Sequence, residues 1–205
     1  MAVRRILTVK KYEKLLRTKS EPVGKLSRDI KLLIKDLLDT FADNPAIGLA
    51  APQIGVLKRV IAVQLGYDED EGVDDDAVPT IMINPTVEPF EAVERGSDAC
   101  LSMPGLAGYT DRAVQIRVKY VDEHWQKQDA IVSGWDARVI LHEVDHLDGI
   151  LFTDRLSSLD DLYVVTVDAE GAHHNTPYLE VVKDASNQLN ATVNSGRLPS
   201  KLSAK

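Results

Sequence analysis

The sequence predicts an α+β domain. Mostly antiparallel sheet should pack around one late helix that carries a metal-binding pattern, with an amphipathic helix before it. Three observations predict this. Apolar residues recur at helical spacing near the N-terminus, short apolar or alternating runs follow, and the pattern H-E-x-x-H then appears on a second helical stretch.

The first helix is expected over 27–41, with Ser27 as N-cap. Ile30, Leu33, Ile34, Leu37 and Phe41 form its apolar stripe, and Arg28, Lys31, Lys35 and Asp39 lie elsewhere on the wheel. The stretch Asn44–Gly55 is rich in Gly and Pro and reads as a loop of fixed shape. Val60–Leu65 and Thr80–Ile83 are apolar strand candidates, and the acidic run 68–76 between them reads as a solvated loop. Val114, Ile116, Val118 and Tyr120 alternate with polar residues as a half-buried strand does, and Ala130–Val132 is its expected partner. The late helix should start near Trp135 or Asp136 and stop at Gly149, a natural C′ residue. After Leu156 the pattern weakens, apart from apolar clusters at Leu162–Val165 and Tyr178–Val182. The division expected is therefore a catalytic domain over 1–156 and a C-terminal extension over 157–205, partly ordered or tail-like.

The chain has 205 residues and is 44% hydrophobic, enough for a sizeable core. A net charge of −8 argues against a duplex nucleic acid partner, which needs a concentrated basic face. No apolar run approaches the roughly 20 residues of a membrane span. One cysteine forms no internal disulfide, so a reducing compartment is the default. The basic N-terminus lacks a signal peptide's apolar stretch, and cytoplasmic location is expected, with organellar import left open.

The chemistry starts at His142-Glu143-Val144-Asp145-His146. Residues i and i+4 stack on one helix face, so His142 and His146 can point two imidazoles at one ion. Glu143 projects about 100° around the helix from His142. That direction suits a base beside an ion-bound water better than a further ligand. The plain alternative is a charged helix with two incidental histidines. Catalytic zinc-type sites take three protein ligands, so the third residue decides the class. The pattern H-E-x-x-H-x-x-G-x-x-H matches as far as Gly149 but ends on Phe152, which excludes that protease class. Glu170 and Glu180, or His173 and His174, are available downstream in weakly patterned sequence. Cys100, in SDACLSMPG, is the stronger candidate because a thiolate suits zinc or ferrous iron. A buried structural cysteine is the competing reading. Asp145 and Asp148 add polar groups nearby, as supports or as exposed residues.

Three segments stand together: AIGLAAPQIG (46–55), DACLSMPG (98–105) and LHEVDHLDGILF (141–152). In this order and spacing the sequence resembles the peptide deformylase family over roughly residues 4–156. The resemblance implies removal of the formyl group from the N-terminal formyl-methionine of new polypeptides, a hydrolase step in N-terminal methionine processing during protein biosynthesis. Position by position, it implies Cys100, His142 and His146 as metal ligands and Glu143 as the acid/base for water attacking the formyl carbon. Gln53, by its side-chain amide, and Leu101, by its backbone N–H, match the oxyanion donors. Ile47 and Gly48 match the edge that binds an extended peptide. The implied cofactor is one divalent ion, Fe2+ in the cell, with Zn2+ or Ni2+ as other occupants. Nascent chains imply docking at the ribosome, for which the tail offers Arg197, Lys201 and Lys205. The family pattern usually has Gly at Ala46, Glu-Gly at Asp98-Ala99 and Gln at Leu141. Ala99 adds a methyl beside Cys100, where it should alter the substrate pocket. Two rivals stand beside this reading: a zinc metalloprotease with a downstream third ligand, and a non-catalytic deformylase-like protein that binds peptide termini.

Overall fold

The computed structural model describes residues 2–44, 46–66 and 78–194, with side chains through 186. The acidic run 68–76 and the tail residues Arg197, Lys201 and Lys205 lie outside the described residues. The architecture is the expected α+β one, with every strand pairing inside the two sheets antiparallel.

A short helix α1 (Val9–Leu16) precedes the amphipathic helix α2 (Arg28–Ala42). The Ser27 side chain accepts the Ile30 backbone N–H and so caps α2 as its chemistry predicts. The Asn44–Gly55 stretch is more regular than a loop. It holds the short strand β1 (Gly48–Ala50) and a 3-10 turn over Ala51–Ile54. Leu49, Ala50 and Ala51 are fully buried there, and burial in the sheet overrides the turn-forming composition.

A five-stranded sheet runs in the order β1, β2 (Val60–Val63), β3 (Thr80–Pro89), β6 (Gln115–Val121), β7 (Lys127–Ser133). Helix α2 packs on one face through Leu33, Ile34, Leu37 and Phe41, against Val60, Ala62, Ile81 and Ile83. The late helix α3 (Gly134–Leu147) packs on the other through Ala137, Ile140, Val144 and Leu147, against Ile61, Val63, Met82, Ile116 and Val118. Residues of opposite parity along β2 and β3 serve the two cores, as strand pleating requires.

A four-stranded sheet has the order β4 (Val93–Ala99), β5 (Leu106–Ala113), β8 (Leu162–Val167), β9 (His173–Pro177). The apolar clusters expected after Leu156 thus fall on regular structure, Leu162–Val165 in β8 and Tyr178–Val182 in the helix that follows β9. Leu162–Val164 pairs with Leu106–Gly108, and helix α4 (Tyr178–Asn194) follows β9. Gly149 has φ +74 where α3 ends, and a Cβ there would lie 2.6 Å from the Arg17 carbonyl carbon. Only glycine lets the N-terminal segment close over this helix end.

Candidate metal centre

The site lies between the two sheets, at the edge strands β1 and β4. A cavity of about 470 Å³ opens there, lined by Ile47 and Gly48 from one edge and Ala99 from the other. Cys100, Leu101, Gln53, His142 and Glu143 also line it. Cys100 Sγ and the ring nitrogens of His142 and His146 converge, all within 4.8 Å of one another. No other such group occurs among the described residues. Cys100 Sγ lies 3.1 Å from His146 Nε2. Glu170 and Glu180, the downstream acids a protease would use, are exposed and outside this cluster.

The surroundings of Cys100 favour its ionised form. Burial opposes ionisation of the Cys100 thiol, yet the charge of His146 and contacts with His142 and His146 hold it well below its ordinary value. The thiolate so favoured is the form that ligates metals. His142 turns its Nδ1 to Asp98 Oδ1 at 2.7 Å, which leaves Nε2 for the cluster. Burial would raise the Asp98 carboxyl, but the hydrogen bond and charge of His142, with Arg112 and Thr110, hold it well below the usual carboxylate range.

Asp98 is the group that sequence reasoning left without a role. Arg112 Nε donates to Asp98 Oδ2 at 2.7 Å, and Arg112 Nη1 to Asp145 Oδ2 at 2.9 Å. Arg155 Nη2 closes the network on Asp145 Oδ1 at 2.6 Å. Asp145 therefore backs, through Arg112, the Asp98 that holds His142. Asp148 is instead engaged by Arg59 at 2.8 Å and Lys19 at 3.3 Å, at the end of α3. Asp98, Thr110 and Arg112 are buried and face α3, and the spacing of Gly108, Thr110 and Arg112 by two is the signal that could have found this polar strand face.

Glu143 is buried beside the cluster. Burial pushes its carboxyl up to about 7, against the pull of His142 and His146. Its Oε2 has no protein hydrogen-bond partner. A Cβ at Gly48 would stand 2.9 Å from Glu143 Cγ and Cδ, so glycine at 48 makes room for the acid. Gln53 is held by one end: Ala50 N–H donates to its Oε1 at 2.7 Å. This fixes the amide direction, and Nε2 points to Ser102 Oγ at 3.3 Å and Cys100 Sγ at 3.5 Å. Leu101 follows the cysteine in the turn after β4, its side chain packed on the α2 core. While Glu170, Glu180 and His174 do not, Ile47, Gly48, Gln53, Ala99, Cys100, Leu101, His142, Glu143 and His146 thus fall at one cavity or its Cys-His-His cluster. Arg138, one helical turn before His142, joins them unforeseen. Its Nη2 donates to the Glu94 carbonyl at 2.8 Å and its guanidinium occupies the space a Cβ at Gly96 would fill.

Comparison with known proteins bears on this geometry directly. The family model for polypeptide deformylase matches residues 3–161. A peptide deformylase of Leptospira biflexa is 40% identical over 163 residues, covering 77% of this chain and 90% of that protein. Peptide deformylase 2 of Ralstonia nicotianae is 42% identical over 147 residues, 70% of this chain and 81% of that one. Among solved structures, the peptide deformylase of Ehrlichia chaffeensis has a TM-score of 0.68 at 33% identity, covering 77% of this chain and 89% of its own. That of Thermotoga maritima has the same TM-score at 30% identity, covering 77% and 100%. A protease with a downstream ligand is not favoured by any of these, and neither is a non-catalytic binding protein. The matched stretch contains all three motifs, both edge strands and α3, and the chain belongs to the peptide deformylase family, enzymes that take the formyl group off the N-terminal formyl-methionine of new polypeptides.

Proposed function

We propose that Cys100, His142 and His146 hold one divalent ion and that Glu143 moves the protons of formyl-amide hydrolysis. The observation that carries this reading is the convergence of one thiol and two imidazoles within 4.8 Å, with the buried Glu143 carboxyl alongside. A divalent ion bound there supplies Lewis acidity and lowers the pKa of water at its open position. Glu143 takes a proton from the attacking water and returns it to the leaving amine, its buried carboxyl standing at the cavity beside the cluster for both transfers. The Gln53 amide, locked by Ala50, and the Leu101 N–H donate to the developing oxyanion. The substrate lies extended along Ile47–Gly48, with Ala99 on the facing edge, in the manner of a strand added to a sheet.

Thiolate and imidazole ligands suit both iron and zinc; the family resemblance is what makes ferrous iron the expected ion, with zinc and nickel as other occupants. The catalytic unit is assigned to residues 1–156 and 157–205 is an extension built onto it. The relatives named above are bacterial, and no helix of the described residues is long and apolar enough to cross a membrane. A bacterial-type cytoplasmic location and encounter with nascent chains at the ribosome accord with that substrate. The test is anaerobic reconstitution with iron, zinc or nickel, then formate release from formyl-Met peptides. Glu143→Ala should keep its metal content and lose roughly 10²–10⁴-fold in kcat. Retained turnover in that variant would remove Glu143 from the mechanism. Cys100→Ser should lower metal occupancy, and an unchanged metal content would return Cys100 to a packing role.

A further inference from the structure

The family match ends at residue 161, one residue before β8 begins. Two residues beyond that point, Val165 and His173, nevertheless line the catalytic cavity. They reach it because β8 adds to the inner strand of the second sheet. Val164 pairs with Leu106, and Val165 N–H donates to the Gly105 carbonyl at 2.9 Å. The hairpin therefore continues the cavity wall made by Met103, Pro104, Gly105 and Leu106. On β9, His173 pairs with Val167 and His174 with Thr166, so consecutive histidines point to opposite faces. His173 faces the cavity, while His174 Nε2 is engaged by Asp168 Oδ2 at 2.7 Å.

The position of this wall says which part of a substrate it touches. β9 stands three strand spacings from the edge strand β4, roughly 14 Å. Val167 and His173 also lie past the end of the β4–β5 ladder, which closes at Ala99 and Ala107. The formyl group belongs at the Cys100 cluster, so the hairpin is remote from the reacting atoms. A cavity of about 470 Å³ is in the range that takes a ligand of drug size, more than a formyl group and one side chain. We infer that the β8–β9 hairpin, through Val165 and His173, binds the residues that follow formyl-methionine and sets this enzyme's preference among nascent-chain sequences. This rests on the deformylase reading of the site. Such contacts are remote from the bond being broken. They act on ground state and transition state alike and appear in KM.

The test uses the full chain, a short substrate (formyl-Met-Ala) and a longer one (formyl-Met-Ala-Ser-Arg). The quantity read is the ratio of kcat/KM for the long peptide to that for the short one. His173→Ala and Val165→Ala should each lower this ratio roughly 3–10-fold, about the size of one modest hydrogen bond or apolar contact, mainly through KM. A second readout needs no turnover: the deformylated peptide Met-Ala-Ser-Arg should quench or shift the fluorescence of Trp135, which lines the cavity, with a Kd raised by the same factor in both variants. His174→Ala, on the opposite face of β9, should leave the ratio at its wild-type value. An unchanged ratio in His173→Ala and Val165→Ala, or an equal fall in His174→Ala, would overturn the inference. Absence of formate release from the wild-type chain on either peptide would instead sink the deformylase reading itself.

Discussion

Helix α3 has two buried sides that are chemically unlike. Ala137, Ile140, Val144 and Leu147 pack on the five-stranded sheet among apolar groups such as Ile61, Met82 and Val118. Arg138, His142 and Asp145 face the four-stranded sheet and meet Thr110, Asp98 and Arg112. The apolar side is held by volume, so its cost of change scales with the cavity left behind. The polar side is held by pairing, so its cost of change is an uncompensated buried charge. The difference teaches how one helix is both anchored and reactive. Packing fixes where His142 and His146 stand, and pairing fixes which way His142 points and how it is charged.

The largest effect on this contrast should come from Arg112→Met. It leaves Asp98 and Asp145 buried without the cation that bridges them, and we expect a loss of about 3–5 kcal/mol in stability. Metal affinity should fall roughly 10–100-fold as well, because Asp98 orients His142. Chemical denaturation and metal competition read the two separately. A variant with wild-type metal affinity would show that the polar side does not tune the ligands.

Ile140→Ala comes next, at about 2–5 kcal/mol, since Ile140 is fully buried on the apolar side. Metal affinity of the protein that stays folded should be near normal. If affinity fell as far as in Arg112→Met, the two sides would not be separable.

The smallest expected effect concerns Glu143, and its sign follows from its titration. The carboxyl titrates at about 7 in the folded metal-free chain, against an ordinary value of 4.5. The folded chain thus binds this proton more tightly than the unfolded one. The resulting stabilisation, relative to the ionised state, is fully present below pH 4.5 and is lost as pH rises through 7. Glu143→Gln removes the titration. Relative to wild type, the metal-free variant should gain up to about 3 kcal/mol at pH 8 from this term compared with pH 4. Thermal melts at both pH values check it, and parallel pH profiles of the two proteins would argue against a buried, strained acid.

The same contrast explains what was legible in the sequence. Helix α2 and strand β6 carry apolar residues at the period of their own geometry, β2, β3 and β7 contain short apolar runs, and α3 was marked by H-E-x-x-H and Gly149, so pattern located them. Strands β4 and β5 turn Gly96, Asp98, Gly108, Thr110 and Arg112 inward, and an inward face of that kind carries no hydrophobic signal. The Asn44–Gly55 stretch hid β1 for a different reason: its Gly and Pro serve a buried corner and a space for Glu143, not a surface turn. The histidine pair on α3 was readable because i and i+4 is a geometric statement. Cys100 lies on an irregular segment, and only its company with the other motifs marked it.

The chain's first residues also bear on the site. Leu7 N–H donates to the Gln53 carbonyl at 2.8 Å, and Val9 N–H to the Ser102 carbonyl at 2.9 Å. These two amides pair with Gln53 itself and with Ser102, the neighbour of Leu101, the two residues proposed above as oxyanion donors. Their exchange should be slow, slower still with the ion bound, and should report the opening of the active site from two residues that do not line its cavity.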